Sequence, residues 1–503
     1  MRRAPGVSAA VAIIGLVGLV GACGGSSAPK SSSAVTETTG TVHWRPCGAG
    51  QGPTGDECAS LVVPLDPAHP GPATINLALA RHPAGGARRG ALVVNPGGPG
   101  VSAVDALPQL VDMLSPTVKA DFDVVAFDPP GVGHSAPITC LDNAALGQYL
   151  HTDPGPTGPG AVSEVVGPDR QLASACKAHS DAILGHVSTA DAARDMDLVR
   201  LALGGQKLNY LGFSYGTSLG ASYAELFGPE IRAMVLDGAI DPSLAALPFL
   251  QAQATALDAQ FRRFAAACEA SASCPWHGGG GPGGDLVAAY QALLTRVRQH
   301  PIPVGNRGVG PSELMYGTIA GLYSTQSWPV IDQALADAER GDGTLMLAAF
   351  DQYVERSHSG TYANTFEAES AVNCLDGPAP SVDGIAGAAP GFAQADPVFG
   401  PLVLYGELAC SVWPVPPTSS PHRITAPEAP PIVVIGSTGD PVTPYSGAQG
   451  LASQLTHGVL LTRVGDGHTG YGASSCIRAA ADAYLTDLRV PPAGTSCPSD
   501  GGS

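Results

Sequence analysis

Basic charge is scarce in this chain: 25 Lys and Arg stand against 43 Asp and Glu, a formal net charge of −18. Such a surplus repels a phosphate backbone, so nucleic acid is not an expected partner. Charged residues of either sign make up only 14% of the 503 positions. Missing too is any CxxC pair or His/Cys cluster with the spacing of a zinc site, and no metal or cofactor is implied. What the chain does hold is 44% hydrophobic residues, enough for a large core and too many for a disordered protein. Its 65 Gly and 46 Pro punctuate many short elements.

The N-terminus carries Arg2 and Arg3 and then an apolar run from Val7 to Ala22. These have the form of an export signal, and the run is too short for a comfortable membrane span. It ends in Val20, Gly21, Ala22 and Cys23, which resembles the lipobox of bacterial lipoproteins. Lipidation at Cys23 is therefore expected, with residues 1–22 as the leader and 23–44 as a tether without hydrophobic period. The expected location is the outer face of the cytoplasmic membrane, anchored there by the lipid. A plain cleaved signal with a chance cysteine is the alternative.

Removing Cys23 from eleven cysteines leaves an even ten. They fall into neighbours, and we expect Cys47 with Cys58, Cys140 with Cys176, Cys268 with Cys274, Cys374 with Cys410 and Cys476 with Cys497. Spacing alone does not prove that connectivity.

From about residue 60, short β-rich runs alternate with helical stretches, the pattern of a mostly parallel sheet covered on both faces. Strands are expected at Thr74 to Ala80, Gly90 to Asn95, Phe122 to Phe127, Leu208 to Leu211, Ala233 to Leu236, Ile432 to Ile435 and Val459 to Val464. Between the fifth and sixth of these lie roughly 190 residues of mainly helical pattern, read as a lid insertion, with helices expected at Leu247 to Ala270, Leu286 to Arg298, Pro311 to Leu322, Trp328 to Arg340 and Thr344 to Arg356. Residues 45–243 and 426–503 then form the two parts of the core, and 244–425 the insertion. The glycine run from His277 to Gly284 lacks both a preceding strand and a following Lys-Ser/Thr, so it is a loop and not a phosphate cradle.

Gly212, Phe213, Ser214, Tyr215 and Gly216 follow the strand at Leu208 and spell GxSxG, the pattern of a nucleophile elbow. A serine hydroxyl needs a base to become nucleophilic at neutral pH. Asp440 lies on the loop after the strand at Ile432, and His468 on the loop after the strand at Val459. The order Ser214, Asp440, His468 is the one such an elbow requires, with His468 as base and Asp440 as its orienting carboxylate. Asp466 is the competing acid, read as shaping its own tight turn, and His134 is read as a structural loop residue. For the oxyanion, the N–H of Tyr215 is one expected donor. The glycine loop at 95–100 offers the other, with Gly97 and Gly98 at its turn and Gly98 the first choice.

Taken together, NPGGPG at 95–100, DPPGVGHS at 128–135, GFSYGT at 212–217, GSTGDPVTP at 436–444 and GDGHTGY at 465–471 resemble the exported α/β-hydrolases similar to actinobacterial tripeptidyl aminopeptidases. The likeness spans about residues 45–497, including the C-terminal segment at 474–497. It implies an α/β-hydrolase fold with a large helical lid and a serine peptidase acting on the N-termini of peptides or proteins. One departure is Pro129 and Pro130, where relatives often carry an arginine after the aspartate. Recognising a free α-amino group calls for a carboxylate facing the pocket. Glu367, Glu369 and Asp376 are the candidates, with Asp376 preferred because the predicted disulfide at Cys374 holds it rigid. A carboxylesterase or lipid esterase with the same triad is the alternative function, and a silent binding lipoprotein a more distant one.

Overall fold

A computed structural model describes residues 41–48, 50, 52–277 and 284–500. The leader at 1–22, Cys23, the tether up to residue 40 and most of the glycine run after His277 lie outside the described residues. Among the described residues, no helix is long and apolar enough to cross a membrane.

In chain order the strands are β1 (Arg45–Pro46), β2 (Glu57–Pro64), β3 (Thr74–His82), β4 (Gly90–Asn95), β5 (Phe122–Phe127), β6 (Leu208–Phe213), β7 (Ile231–Asp237), β8 (Ile302–Val304), β9 (Arg307–Val309), β10 (Ile432–Gly439), β11 (Gly458–Asp466) and β12 (Ser496–Pro498). β8 and β9 form a separate hairpin, and the rest form one 10-stranded sheet in the order β1-β2-β3-β5-β4-β6-β7-β10-β11-β12. Pairing is antiparallel among β1, β2, β3 and β5. From β5 to β12 it is parallel throughout.

The central strands read as unbroken apolar runs because both faces are covered. β5 and β6 are buried at every position. On one face pack Met196 and Val199 of the helix Thr189–Ala202 with Leu219 and Tyr223 of the helix Tyr215–Phe227. On the other pack Leu107 and Leu110 of the helix Ala103–Met113 with Ile477 and Leu485 of the helix Ser475–Asp487. The parallel register sets Asn95 beside Gly212, Phe213 beside Asp237, and Gly439 beside Asp466. The carboxyl ends of β4, β6, β7, β10 and β11 therefore share one edge, where open α/β sheets carry their ligands.

Between β7 and β10 the expected lid helices are present as Ala246–Ala270, Leu286–Gln299, Pro311–Leu322, Trp328–Glu339 and Thr344–Tyr353. The insertion also holds the helices Thr365–Asp376, Val382–Ala395, Gly400–Tyr405 and Leu408–Ser411 and the β8–β9 hairpin, which the sequence pattern does not single out. The lid buries its own core around Phe261, Phe264, Trp276, Tyr290, Phe350 and Phe399, and borrows Leu146, Leu150 and Val165 from helices that precede it in the chain. All five neighbouring cysteine pairs are bonded. Each bridge contributes roughly 2–4 kcal/mol, largely by restricting the unfolded chain. Cys268, Cys274 and Asp332 are the one group of candidate metal ligands among the described residues, but the two sulfurs are bonded to each other.

Burial raises an unusual number of acids. Asp169, Asp237, Asp332, Asp376 and Asp396 are each pushed up to about 6, and Glu369 and Glu407 to about 7. The folded chain then keeps protons that the unfolded chain releases near pH 4, so stability falls as pH rises from there through 7. The thermal midpoint measured at pH 5.5 should exceed that at pH 8 by several degrees. Equal midpoints would mean that these carboxyls are solvated in the folded protein.

Candidate active site

The turn after β6 is forced into an unusual conformation. Ser214 adopts φ 55° and ψ −124°, a region that costs a residue with a side chain roughly 1–3 kcal/mol. Its N–H donates to the Asp237 carbonyl of β7 at 2.8 Å, and its side chain faces the cavity above the sheet. Gly212 has no room for a side chain, because a Cβ there would sit 2.4 Å from the Gly216 carbonyl oxygen. The elbow therefore packs only with glycine at this point.

His468 lines the same cavity and its Nδ1 lies 2.9 Å from Asp440 Oδ2 and 3.0 Å from Oδ1. Burial alone would push the imidazole down, but the charge of Asp440 and its hydrogen bond prevail and hold His468 above the ordinary value. Burial likewise opposes ionisation of Asp440, and the His468 charge and hydrogen bond together with the N–H groups of Thr443 and Val442 bring it below the usual range. The pair is thus built as carboxylate and imidazole with Nδ1–H fixed between them. Among the described residues no hydrogen bond joins Ser214 Oγ to the imidazole, and such bonds often tighten only when substrate binds.

Two buried charges clamp the histidine loop. The Arg463 guanidinium donates to the carbonyls of Asp466 and Thr469. The Asp237 carboxylate accepts from the N–H groups of Gly470 and Tyr471 at 2.8 and 2.7 Å. The lid touches the loop as well: the His468 N–H donates to the Tyr323 carbonyl at 2.8 Å, and the Tyr323 ring meets the imidazole edge-on at 5.3 Å. Asp466, the rival acid, pairs with Arg263 at 2.6 Å and is not bonded to His468. His134 pairs with Asp105 at 3.0 Å.

In the glycine loop, Gly97 presses against the elbow, where a Cβ would lie 2.8 Å from both the Phe213 oxygen and the Ser214 Cβ. Its N–H turns back onto Asn95 Oδ1 at 3.0 Å. The Gly98 N–H has no acceptor among the described residues, and Gly98 lines the cavity. Tyr215 is the first residue of its helix, where N–H groups have no intrahelical partner. Asp128 braces the loop from behind, accepting from Ser102 Oγ and from the N–H groups of Val104 and His134. That buried carboxylate stands beside Pro129 and Pro130.

The three lid carboxylates part company. Glu367 is buried outside the cavity and accepts the N–H groups of Cys140 and Leu141 at 3.0 and 2.8 Å. Asp376 reaches the cavity wall, but its oxygens take the Thr189 N–H and hydroxyl at 2.8 and 2.5 Å, and that hydroxyl also meets the Tyr215 hydroxyl at 2.7 Å. These bonds tie the lid helix Thr365–Asp376 to the start of the helix Thr189–Ala202, and Thr189 carries the link on to Tyr215 of the elbow. Glu369 alone faces the cavity with no hydrogen bond among the described residues, raised to about 7 by burial and then by the charge of Glu355.

Glu355 also lines the cavity, sits at φ 49° and accepts from Thr365 Oγ1. No motif in the sequence points to it. Around the two glutamates stand Tyr316, Tyr323, Tyr353 and Phe366, with Tyr316 and Tyr353 stacked at 5.2 Å. The whole cavity measures about 1760 Å³.

Comparison with known proteins agrees with this geometry. A family described as the alpha/beta hydrolase fold matches residues 90–278, and one described as TAP-like protein matches residues 396–497. Serine protease Hip1 of Mycobacterium tuberculosis is 35% identical over 91% of this chain and 91% of its own length. Carboxylesterase B of the same organism is 38% identical over 88% of this chain and 86% of its own. Tripeptidyl aminopeptidase of Streptomyces lividans is 30% identical, covering 91% of this chain and 86% of that protein.

Proposed function

The chain belongs to the TAP-like family of α/β-hydrolases and is a serine hydrolase, and from that premise we propose that it is an aminopeptidase releasing short peptides from free N-termini. The observation that carries this reading is Glu369 beside Glu355, two carboxyls among aromatic rings in the cavity that also holds Ser214 and His468. A protonated α-amino group satisfies both the charge and the ring faces of such a site. An ester substrate has nothing to offer it.

In this reading His468 Nε2 takes the proton of Ser214 Oγ as the oxygen attacks the scissile carbonyl. The resulting oxyanion receives the N–H groups of Gly98 and Tyr215. Asp440 stabilises the imidazolium, which then gives its proton to the leaving amine, and a water molecule releases the acyl-enzyme by the same route in reverse. The anchored ammonium fixes how many residues reach from the amine site to Ser214, so the fragment is short and of set length. Export fits this reading, since five disulfides suit an oxidising compartment. A lipid on Cys23 would hold the enzyme at the membrane surface.

The relative named as a carboxylesterase keeps the esterase reading alive. A matched set separates the two: a tripeptidyl amide with a free N-terminus, its N-acetylated twin and a short acyl ester. The free peptide should be cleaved at least ~100-fold faster, in kcat/KM, than the acetylated one. Cleavage of the ester alone would assign the protein to the esterases.

A further inference from the structure

The cavity wall is one-sided in charge. Its lining carries six carboxyl groups, Glu225, Asp241, Glu355, Glu369, Asp376 and Glu407, with two histidines and neither lysine nor arginine. Most of these acids are engaged. Glu225 pairs with His422 at 3.0 Å, Asp241 accepts from Ser243 and Gln454, Asp376 from Thr189, and Glu355 from Thr365. Glu369 shares the charge of Glu355 at the proposed amine site.

Glu407 stands apart. Its side chain has no hydrogen bond or ion pair among the described residues, and it lies in the lid between the helices Gly400–Tyr405 and Leu408–Ser411. Leu402 and Val403 line the wall on its own segment, while the next helix is bonded to Thr365–Asp376 through Cys374 and Cys410. Its backbone is fixed, with the N–H donating to the Leu404 carbonyl at 3.2 Å and the carbonyl accepting from Cys410 at 3.1 Å. Burial is the sole cause that lifts this carboxyl to about 7. Glu355, by contrast, contributes to the rise of Glu369.

Glu407 is half-buried, and a carboxyl left without a partner at the wall of a cavity is an open acceptor for a cation. The lining has no lysine or arginine, and its two histidines are engaged with Glu225 and Asp440, so a partner for Glu407 must arrive with the substrate. We propose that Glu407 is a second cation subsite, which takes the ammonium of a lysine or the guanidinium of an arginine side chain in the bound peptide. This rests on the aminopeptidase reading and deepens it. The long apolar stem of either side chain lies against Leu402 and Val403, and the charged head meets the carboxylate at the cavity wall.

The test uses tripeptidyl amides with free N-termini in which each position in turn carries lysine or norleucine, its uncharged counterpart. One position should favour lysine by ~10-fold or more in kcat/KM. Glu407→Gln should raise KM for that lysine peptide ~10-fold while changing that of the norleucine twin less than ~2-fold. A wild-type enzyme with no lysine preference at any position overturns the subsite, whether or not the variant folds, and so does a preference that survives Glu407→Gln. Norleucine peptides that are cleaved normally leave the aminopeptidase reading intact in either case. If no peptide of either kind is cleaved, that reading falls and the subsite falls with it.

Discussion

Ser214→Ala loses hydrolysis of peptide and ester alike, with kcat down on the order of 10⁴- to 10⁶-fold. The change removes one oxygen and keeps the Cβ, so nothing in the packing of the elbow is disturbed. Ser214 Oγ makes no hydrogen bond among the described residues, and the backbone bond from its N–H to Asp237 is unaffected. The variant should therefore unfold within a degree or two of the wild type and bind substrate with little change. It should also fail to react with a fluorophosphonate that labels the wild type. Residual turnover above a few per cent would move the nucleophile elsewhere in the cavity.

Glu369→Gln has the second largest expected effect, and it falls on KM. Truncating one partner of a buried charge pair costs about 2–5 kcal/mol. KM for free-N-terminus peptides should accordingly rise by on the order of 10²-fold, with kcat much less affected. The acetylated twin, which never used the site, should be cleaved as slowly as before. Glu369→Asp should recover part of the loss. The same site sets a pH dependence: the carboxyl, at about 7 when empty, must be ionised to hold an ammonium, so KM should fall as pH rises from 6 towards 8. Above that the α-amino group itself loses its proton and KM should climb again. A KM unchanged by Glu369→Gln would return the search to Glu355 alone.

Much of this site is legible in the amino-acid sequence because its parts are local. Ser214, Asp440 and His468 each follow a strand of the sheet interior, and such strands announce themselves as short apolar runs. The glycine loop after β4 is legible for the same reason, and the order of the three side chains along the chain does the rest. The strands at the sheet margins are not legible. β2 and β12 carry alternating or very short patterns, and β1 has only two residues. The helix Ala161–Leu184 holds Gly167 and Pro168 and a kink at Ser180, which break its period.

The acids show where sequence stops. Asp376 has the pattern of a pocket residue because a disulfide holds its neighbour, and it does line the cavity, but sequence gives no sign that its oxygens also tie Thr189 to the lid. Glu355, Glu407 and Asp237 sit in no motif with a known spacing. Their importance comes from burial and from what stands, or does not stand, around them across the fold. Arg463 is hidden in the middle of β11, where a charged residue reads as a solvated face, yet it is buried beneath the histidine loop.

The central claim is that a free N-terminus is anchored in the lid and that its distance from Ser214 sets the cut. The most direct test is mass spectrometry of the products formed by the purified protein from a ten-residue peptide and from its N-acetylated form. The account predicts one short N-terminal fragment of fixed length, released stepwise from the free peptide, and no cleavage of the acetylated one. Internal cuts, or equal cleavage of both forms, would contradict it.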